Sequence, residues 1–249
     1  MELNFLLTYL LVLVALFFSH RMELGLERRI LIGSVRAFLQ LMLMGFVLVW
    51  LFGQDHFLIT VSAILFMILF AAYTANSHSR LEHGFFVALP VIFLAIFIVL
   101  GSLLLFDIIK TETKELLPLA GMIIGNSLNV YTLTVNRLKS DIVQTIDELE
   151  AKVALGEELK SAMKSSMQGA VKAAMLPILN NLNTVGLVLI PGVTVGMLLA
   201  GADPMKAVAF QLVIMYMIVG VAVFTGIFTV NFGYLRVLET QFRAKAPSR

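Results

Sequence analysis

The chain has 249 residues, of which 59% are hydrophobic and 14% charged, and its mean hydropathy is +0.95. An ordinary soluble domain has about 45–50% apolar and about 25% charged residues, so this composition excludes that class. Cysteine is absent, which excludes disulfides and thiolate metal sites. The net charge of +2 indicates little by itself, and we expect no nucleic-acid partner.

Seven apolar segments are each long enough to cross a bilayer, which takes about 20 residues. They predict an all-α, polytopic membrane protein with about seven transmembrane helices, built as a single permease domain over 1–249. The predicted spans are 3–19, 30–53, 57–76, 85–106, 116–136, 184–202 and 206–231. The first has no basic segment before it and is predicted to be a retained helix rather than a signal peptide. Pro191 and Gly192 interrupt the sixth, so a continuous and a broken helix both stay open.

The positive charges lie mainly on one side of these spans. Arg36 lies inside a span, only Lys110, Lys114 and Lys206 lie on one side, and every other Lys and Arg lies on the opposite side. Cytoplasmic loops carry the excess of Lys and Arg. The pattern therefore predicts an N-terminus outside, a C-terminus in the cytoplasm and a multi-pass protein of the cytoplasmic (inner) membrane.

The segment 137–182, between the fifth and sixth spans, is polar and has helical periodicity. We predict a long cytoplasmic helical arm whose two halves are separated by Gly156. In the second half an apolar stripe lies beside a ridge of polar residues. The stripe is Leu159, Met163, Met167, Val171 and Met175, and the ridge is Lys160, Lys164, Gln168 and Lys172. Two interpretations remain open: a helix lying on anionic headgroups, or a docking helix for a cytosolic partner.

The chain contains no G-x4-G-K-[ST] loop, no His-Glu-x-x-His zinc motif and no nucleophile elbow. Asp and Glu are absent from the confident spans, which argues against coupling to protons or sodium. We therefore predict no enzymatic activity, no catalytic residue and no cofactor in this chain, and the residues identify no metal ligands.

Few polar side chains lie inside the predicted spans. Arg36 and Gln40 are one turn apart in the second, Asn126 and Asn129 lie in the fifth, and Gln211 lies in the seventh. Because such groups are costly in lipid, they are candidates for lining a transport path. The alternatives are a snorkelling arginine at a span end and hydrogen bonds between helices for the amides.

Small residues recur at helical spacing in the fifth and sixth spans. These are Gly121 and Gly125 in the fifth, and Gly186, Pro191, Gly192 and Gly196 in or beside the sixth. Glycines four residues apart let helix backbones approach closely in a bilayer. We predict that the two groups form a packing and gating contact between these spans.

Several of these segments together resemble the FetB-type ABC transporter permeases. The matching segments are 19–27, 34–41, 117–126 and 182–192, the last reading Leu-Asn-Thr-Val-Gly-Leu-Val-Leu-Ile-Pro-Gly. Their order and spacing agree over nearly the whole chain.

The resemblance implies the permease subunit of an ABC transporter, an exporter linked to iron or metal homeostasis. It implies a separate cytosolic ATP-binding subunit that carries ATP and Mg²⁺, and a permease homodimer in a two plus two assembly. Bacterial members are linked to iron export and plant relatives to aluminium tolerance, with a sugar nucleotide proposed as cargo. Export of an organic solute or sugar nucleotide is therefore an alternative, as is a non-transporting membrane anchor or regulator of a cytosolic ATPase.

The arm also resembles the EAA loop of ABC importers, in which a Glu-Ala pair precedes a glycine, although Pro177 comes later than in that loop. Here Glu150 and Ala151 precede Gly156. With the stripe and the ridge, this resemblance predicts that the arm couples to the ATPase. The predicted coupling residues are Glu150, Gly156, Leu159, Lys160, Met163, Lys164 and Met167.

Overall fold

A computed structural model describes residues 8–54 and 56–245, and throughout these ranges the ordered elements are helices. The described helices are α1 (Tyr9–Arg21), α2 (Glu27–Gln54), α3 (Phe57–Ser79), α4 (Gly84–Leu105), α5 (Thr113–Ala154), α6 (Leu159–Ala162), α7 (Lys164–Thr184), α8 (Gly192–Leu199) and α9 (Pro204–Lys245). The chain divides into two compact units, Met1–Asp55 and His56–Arg249. The predicted all-α fold is confirmed.

Five of the described helices are long and apolar enough to cross a membrane. They are α2, α3, α4, α5 and α9, and they confirm the second to fifth and the seventh predicted spans. The predicted span 3–19 begins at residues outside the described ranges, and its remainder lies in the shorter apolar helix α1. The orientation of the termini stays a prediction.

Of the two alternatives for the sixth predicted span, 184–202, the structure shows the broken one. α7 ends at Thr184, the chain turns, and α8 has 8 residues, which is about 12 Å and too short to cross a bilayer. Pro191 has no N–H for a helix and disfavours a helical backbone at Ile190 before it. Gly186 adopts a φ of +84°, the left-handed region that glycine enters without steric cost.

In the first unit, α1 and α2 form an antiparallel hairpin. At the turn, the Ser19 hydroxyl donates to Glu27 Oε1 at 3.0 Å. At the other end, the Tyr9 hydroxyl donates to the Ser34 carbonyl, and the Tyr9 ring meets the Phe38 ring edge to face. Apart from this contact α2 is mostly exposed.

In the second unit, α3 and α5 run parallel, joined by polar contacts at both ends. The hydroxyls of Thr60 and Thr113 lie 2.8 Å apart at one end, where both side chains are buried. At the other end Lys139 Nζ donates to the carbonyls of Ser79 and Arg80 at 2.8 and 3.0 Å. The lysine thus caps the carbonyl end of α3, where Arg80 has a left-handed backbone.

α4 runs antiparallel to both α5 and α9. The buried Tyr131 hydroxyl of α5 donates to the Gly84 carbonyl at the start of α4. Towards α9, Val87 lies near Gly233 and Val99 near Gly220, so residue numbers fall along one helix as they rise along the other. These contacts place the buried core along α3, α4, α5 and α9.

The predicted arm is wrong at its C-terminal boundary. α5 continues without interruption from the fifth span to Ala154, as expected, and Gly156 ends the turn after it with a φ of +94°. α7 then returns antiparallel along α5. Ala174 and Ile178 pack with Val130, which lies inside the fifth span, so the last part of the predicted arm lies at the depth of the span. The small residues of α7 allow this close packing.

Candidate functional site

The break between α7 and α8 lies beside the part of α5 that runs along α3. On α5, Asn126 is midway between Thr113 and Lys139, the residues that contact the two ends of α3, and is about 20 Å from each. Asn181, in the last turn of α7, lines the same cavity as Asn126. The chain therefore leaves the helical conformation near the centre of the bundle rather than at a membrane surface.

A cavity of about 420 Å³ lies between α5 and α7, next to this break. Its polar wall combines residues of three helices, and its apolar wall comes from α5 and α7. The polar residues are His78, Asn126, Asn129, Thr132 and Asn181. The cavity thus contains three amides, one hydroxyl and one imidazole, and no carboxylate or ammonium group.

Part of the polar wall is oriented by hydrogen bonds within α5. Asn126 Nδ2 donates to the Met122 carbonyl at 2.8 Å, and the Thr132 hydroxyl donates to the Leu128 carbonyl at 2.9 Å. These bonds use donors and leave the oxygen atoms as acceptors. On α7, Pro177 has no N–H to donate, so the helix lacks one internal bond at the cavity wall. The site can therefore accept hydrogen bonds from a neutral or hydrated ligand.

The turn after α7 exposes backbone as well as side chains. The N–H groups of Leu187 and Val188 donate to the Thr184 carbonyl, and the Gly186 N–H donates to the Leu189 carbonyl. In the described part of the chain no donor reaches the carbonyls of Gly186, Leu187 and Val188. The side chains of Leu187 and Val188 are 91% and 83% exposed. Within lipid, such carbonyl oxygens need a water molecule or a protein group that donates a hydrogen bond to them.

The predicted contact between the two glycine groups is wrong. Within the described residues, α8 contacts α9 and does not contact α5. A Cβ built at Gly125, Gly192 or Gly196 meets nothing within 4 Å, and one at Gly121 meets only the flexible end of Met67, in α3. The break at Pro191 redirects the chain, so the glycines of α8 never face those of α5.

Other glycines, which the sequence analysis missed, mark the close helix contacts. A Cβ at Gly226 of α9 would lie 2.9 Å from Val171 Cγ1 of α7, and one at Gly84 would lie 2.6 Å from Asn76 Oδ1 of α3. One sequence feature could have indicated these close contacts: Gly226 and Gly233 lie two turns apart on one face of α9. The four-residue motif is not the pattern that this bundle uses.

Gln211, another predicted path residue, does not line the asparagine cavity. Gln211 is buried and accepts a hydrogen bond from Thr194 of α8 at 3.4 Å, so it links α8 to α9. Arg36 and Gln40 lie on the exposed surface of α2, in the first unit. Their role in a path stays a prediction. Asn181 and His78 are cavity residues that the sequence analysis did not identify.

The predicted coupling surface is only partly accessible. Met163 and Met167 are 1% and 7% exposed, so the apolar stripe faces the bundle and cannot form an open docking surface. Periodicity identified the apolar face but not the helices that cover it. Gly156, at the tip of the arm, is exposed, and so are Glu150, Lys160 and Lys164, while Leu159 is half-buried. Leu155, which the sequence analysis missed, is 89% exposed at the same tip.

No group of three or more His, Asp or Glu residues that could hold a metal ion occurs within residues 8–54 and 56–245. The described cavity wall has one imidazole and no carboxylate or thiolate, so it lacks the several oxygen or sulfur anions that usually hold a bare metal ion. Its side chains can donate and accept hydrogen bonds.

The profile of the family described as "Uncharacterised protein family (UPF0014)" matches residues 2–238. The chain is 35% identical to the UPF0014 membrane protein YjkA of Bacillus subtilis, covering 84% of each chain. It is 34% identical to Protein ALUMINUM SENSITIVE 3 of Arabidopsis thaliana, covering 87% of this chain and 80% of the relative. It is 32% identical to the Probable iron export permease protein FetB of Escherichia coli, covering 87% and 84%. No solved structure matches the chain.

The chain belongs to the UPF0014 family, which confirms the resemblance to FetB-type permeases. The five long apolar helices of the described residues and the similarity to named membrane proteins make it a multi-pass membrane protein. Of the relatives above, the Bacillus subtilis protein is named as a membrane protein and the Escherichia coli protein as a probable permease.

Proposed function

We propose that this member of the UPF0014 family is the permease subunit of an ABC exporter in the cytoplasmic (inner) membrane. A separate cytosolic subunit would bind and hydrolyse ATP. The observation that carries the proposal is the amide-lined cavity beside a helix broken midway through the bundle. Transporters form substrate sites where a discontinuous helix exposes backbone near the centre of the membrane. The relative named as a probable iron export permease supports the same class of function.

The substrate path would lie between two copies of the chain. Asn129 and Asn181 are exposed at the cavity, and the turn beside them exposes unpaired carbonyls. Each unsatisfied polar group costs several kcal/mol in lipid, so this face needs a polar or protein neighbour. A second copy placed face to face would supply the same amides from the other side and enclose a polar path. Closed two-fold pairing is the commonest assembly of identical chains.

The fifth helix would connect the path to the ATPase. α5 is one helix from the span through the cavity wall to the arm tip at Ala154. The tip exposes Leu155 beside Gly156, followed by the short helix α6. A movement of the ATPase against this tip would be transmitted along α5 because a continuous helix transmits displacement as a rigid rod. The docking contact would therefore be the tip, including Glu150 and Leu155.

The chemistry of the cavity bears on the cargo. Its neutral amides suit a complexed metal or an organic solute that forms hydrogen bonds. A bare iron ion would be held better by carboxylates, which the cavity lacks. Iron carried as a complex is the first candidate, in agreement with the name of the Escherichia coli relative. Export of an organic solute is the second candidate, and the neutral lining favours it.

Transport by the chain reconstituted with its ATPase tests this function. Asn126→Leu together with Asn129→Leu should reduce transport about tenfold, since each lost hydrogen bond contributes about 0.5–1.5 kcal/mol. Asn136→Leu is the matched control, because Asn136 is an exposed asparagine of the same helix outside the cavity. Uptake of bare iron, complexed iron and organic solutes by inverted vesicles would identify the cargo. Equal transport by the double variant and the wild type would contradict the proposed path.

A further inference from the structure

A second cavity in the described part of the chain lies away from the asparagine cavity. It measures about 640 Å³ and lies between the α6–α7 segment and α9. Lys160, Lys164 and Lys172 line it on the side of α6 and α7. These residues form the polar ridge of the sequence analysis, and they turn towards a groove of the same chain.

The three ammonium groups of this groove are not neutralised by the chain. None of them forms an ion pair with a carboxylate of the described residues. Glu158 is the one carboxylate on the described wall of the cavity, so three lysines and one glutamate give the wall a formal charge of +2. The cavity therefore attracts an anion.

The groove lies at the charged end of α7 and within two turns of the charged end of α9. After Lys172, no charged residue occurs until Asp203, and after Lys206 none occurs until Arg236 in α9. Val171 contacts the position of Gly226, ten residues before Arg236, and α7 runs antiparallel to α9, so Lys160 and Lys164 lie nearer to the charged end of α9 than Lys172 does. The end of the apolar segments marks the boundary between hydrocarbon and headgroups.

The apolar side of the groove continues towards the span. Val171 from α7 and Ile227 and Val230 from α9 line the same cavity as the lysines. The cavity therefore combines a row of lysines, of which Lys160 and Lys164 lie nearest the boundary, with an apolar wall formed by Val171 and α9. This arrangement matches a molecule with a charged head and an apolar chain.

We propose that this groove binds an anionic phospholipid. Its headgroup would lie along the row of Lys160, Lys164 and Lys172, and its acyl chain would lie along the apolar wall. Basic pockets between membrane helices at the headgroup level bind anionic lipids, because lysines are attracted to the phosphate and the chain stays in hydrocarbon. The proposal does not depend on transport, and it assigns the lysine ridge to lipid rather than to the ATPase.

Native mass spectrometry of the full chain in detergent, with phosphatidylglycerol or phosphatidylcholine added, tests the proposal. We expect tighter binding of phosphatidylglycerol. Lys164→Gln with Lys172→Gln should weaken that binding about 25-fold, since each lysine near an anionic lipid contributes about fivefold. Lys164→Arg with Lys172→Arg should retain it. The control is Lys110→Gln with Lys114→Gln. It removes the same charge near the N-terminal end of α5, away from the groove, and should not change the affinity for phosphatidylglycerol.

Three outcomes would overturn the proposal. Equal affinity for the two lipids would show that charge does not select the ligand. Inorganic phosphate binding as tightly as phosphatidylglycerol would identify a small-anion site without a lipid chain. Loss of co-purified ATPase from the Lys164→Gln, Lys172→Gln variant, with lipid binding unchanged, would assign the ridge to protein docking.

Discussion

The contact between α7 and α9 at Gly226 is tight enough to be tested by a single methyl group. A Cβ added there would lie 2.9 Å from Val171 Cγ1. This distance is about 0.6 Å shorter than ~3.5 Å, the lower end of the optimal separation between two carbon atoms. Val171 lies within a helix, where a valine has one strongly preferred rotamer and cannot turn aside. The clash must therefore move a backbone.

Two opposing effects determine how much Gly226→Ala changes the free energy of unfolding. Overpacking a well-packed site costs about 1–3 kcal/mol. Replacing a helical glycine by alanine contributes about 0.5–1 kcal/mol of stabilisation. Gly226→Ala should therefore destabilise the protein by about 1 kcal/mol, which lowers Tm by about 2–4 °C for a chain of this size. Gly125→Ala is the control, because its Cβ meets nothing within 4 Å, and it should raise Tm.

Thermal unfolding in detergent, read by circular dichroism, measures both variants. Val171→Ala removes the two atoms nearest to the new methyl group and should restore the stability of Gly226→Ala. The double-mutant cycle should give a coupling energy of about 0.5–3 kcal/mol, the range for residues in contact. Additive effects, or an equal gain in Tm from Gly226→Ala and Gly125→Ala, would refute the close packing of these helices.

Three further perturbations test other contacts. Ser127→Ala should lower the free energy of unfolding by about 1–3 kcal/mol, because it leaves the buried Thr225 hydroxyl, 2.8 Å from the Ser127 hydroxyl, without this partner. In the same unfolding assay, Ser127→Ala combined with Thr225→Val should destabilise the protein less. Leu155→Asp should abolish co-purification of the ATPase from a folded permease. Met163→Asp should instead unfold the permease, because Met163 is buried. Retained ATPase with Leu155→Asp would exclude the tip as the docking contact. Burial and, secondarily, Arg80 lower the pKa of Lys139, so the unfolded chain binds the proton more tightly. The stability contributed by Lys139 should therefore rise with pH from its lowered pKa towards its ordinary value, and Lys139→Met should remove that slope from unfolding curves recorded across the alkaline range.

The sequence was sufficient to predict most of the spans because hydropathy depends on composition alone. It also predicted that the fifth span continues into the arm, since the helical period continues past Arg137. The sequence did not decide whether the sixth span is continuous or broken, and the reason is physical. The asparagines at 180, 181 and 183 indicate a polar segment outside lipid, but folding places Asn181 on a cavity wall, where amides are tolerated.

The residues that line the asparagine cavity divide in the same way. Asn126 and Asn129 were recognised because their polarity is local to one apolar helix. His78 and Asn181 were not recognised, because only the packing of α3 and α7 against α5 brings them to the cavity. The methionine stripe shows the same limit: periodicity identifies an apolar face, and tertiary packing decides whether solvent, lipid or another helix covers it.

The central claim is that two copies of the chain face each other across the asparagine cavity. The natural chain has no cysteine, so Asn129→Cys introduces a single thiol at an exposed cavity position. Phe97→Cys introduces one on the apolar groove between α3 and α4, which should face lipid. After oxidation in native membranes, Asn129→Cys should form a disulfide-linked dimer, and Phe97→Cys should stay monomeric on a denaturing gel. A dimer from Phe97→Cys and none from Asn129→Cys would contradict the claim.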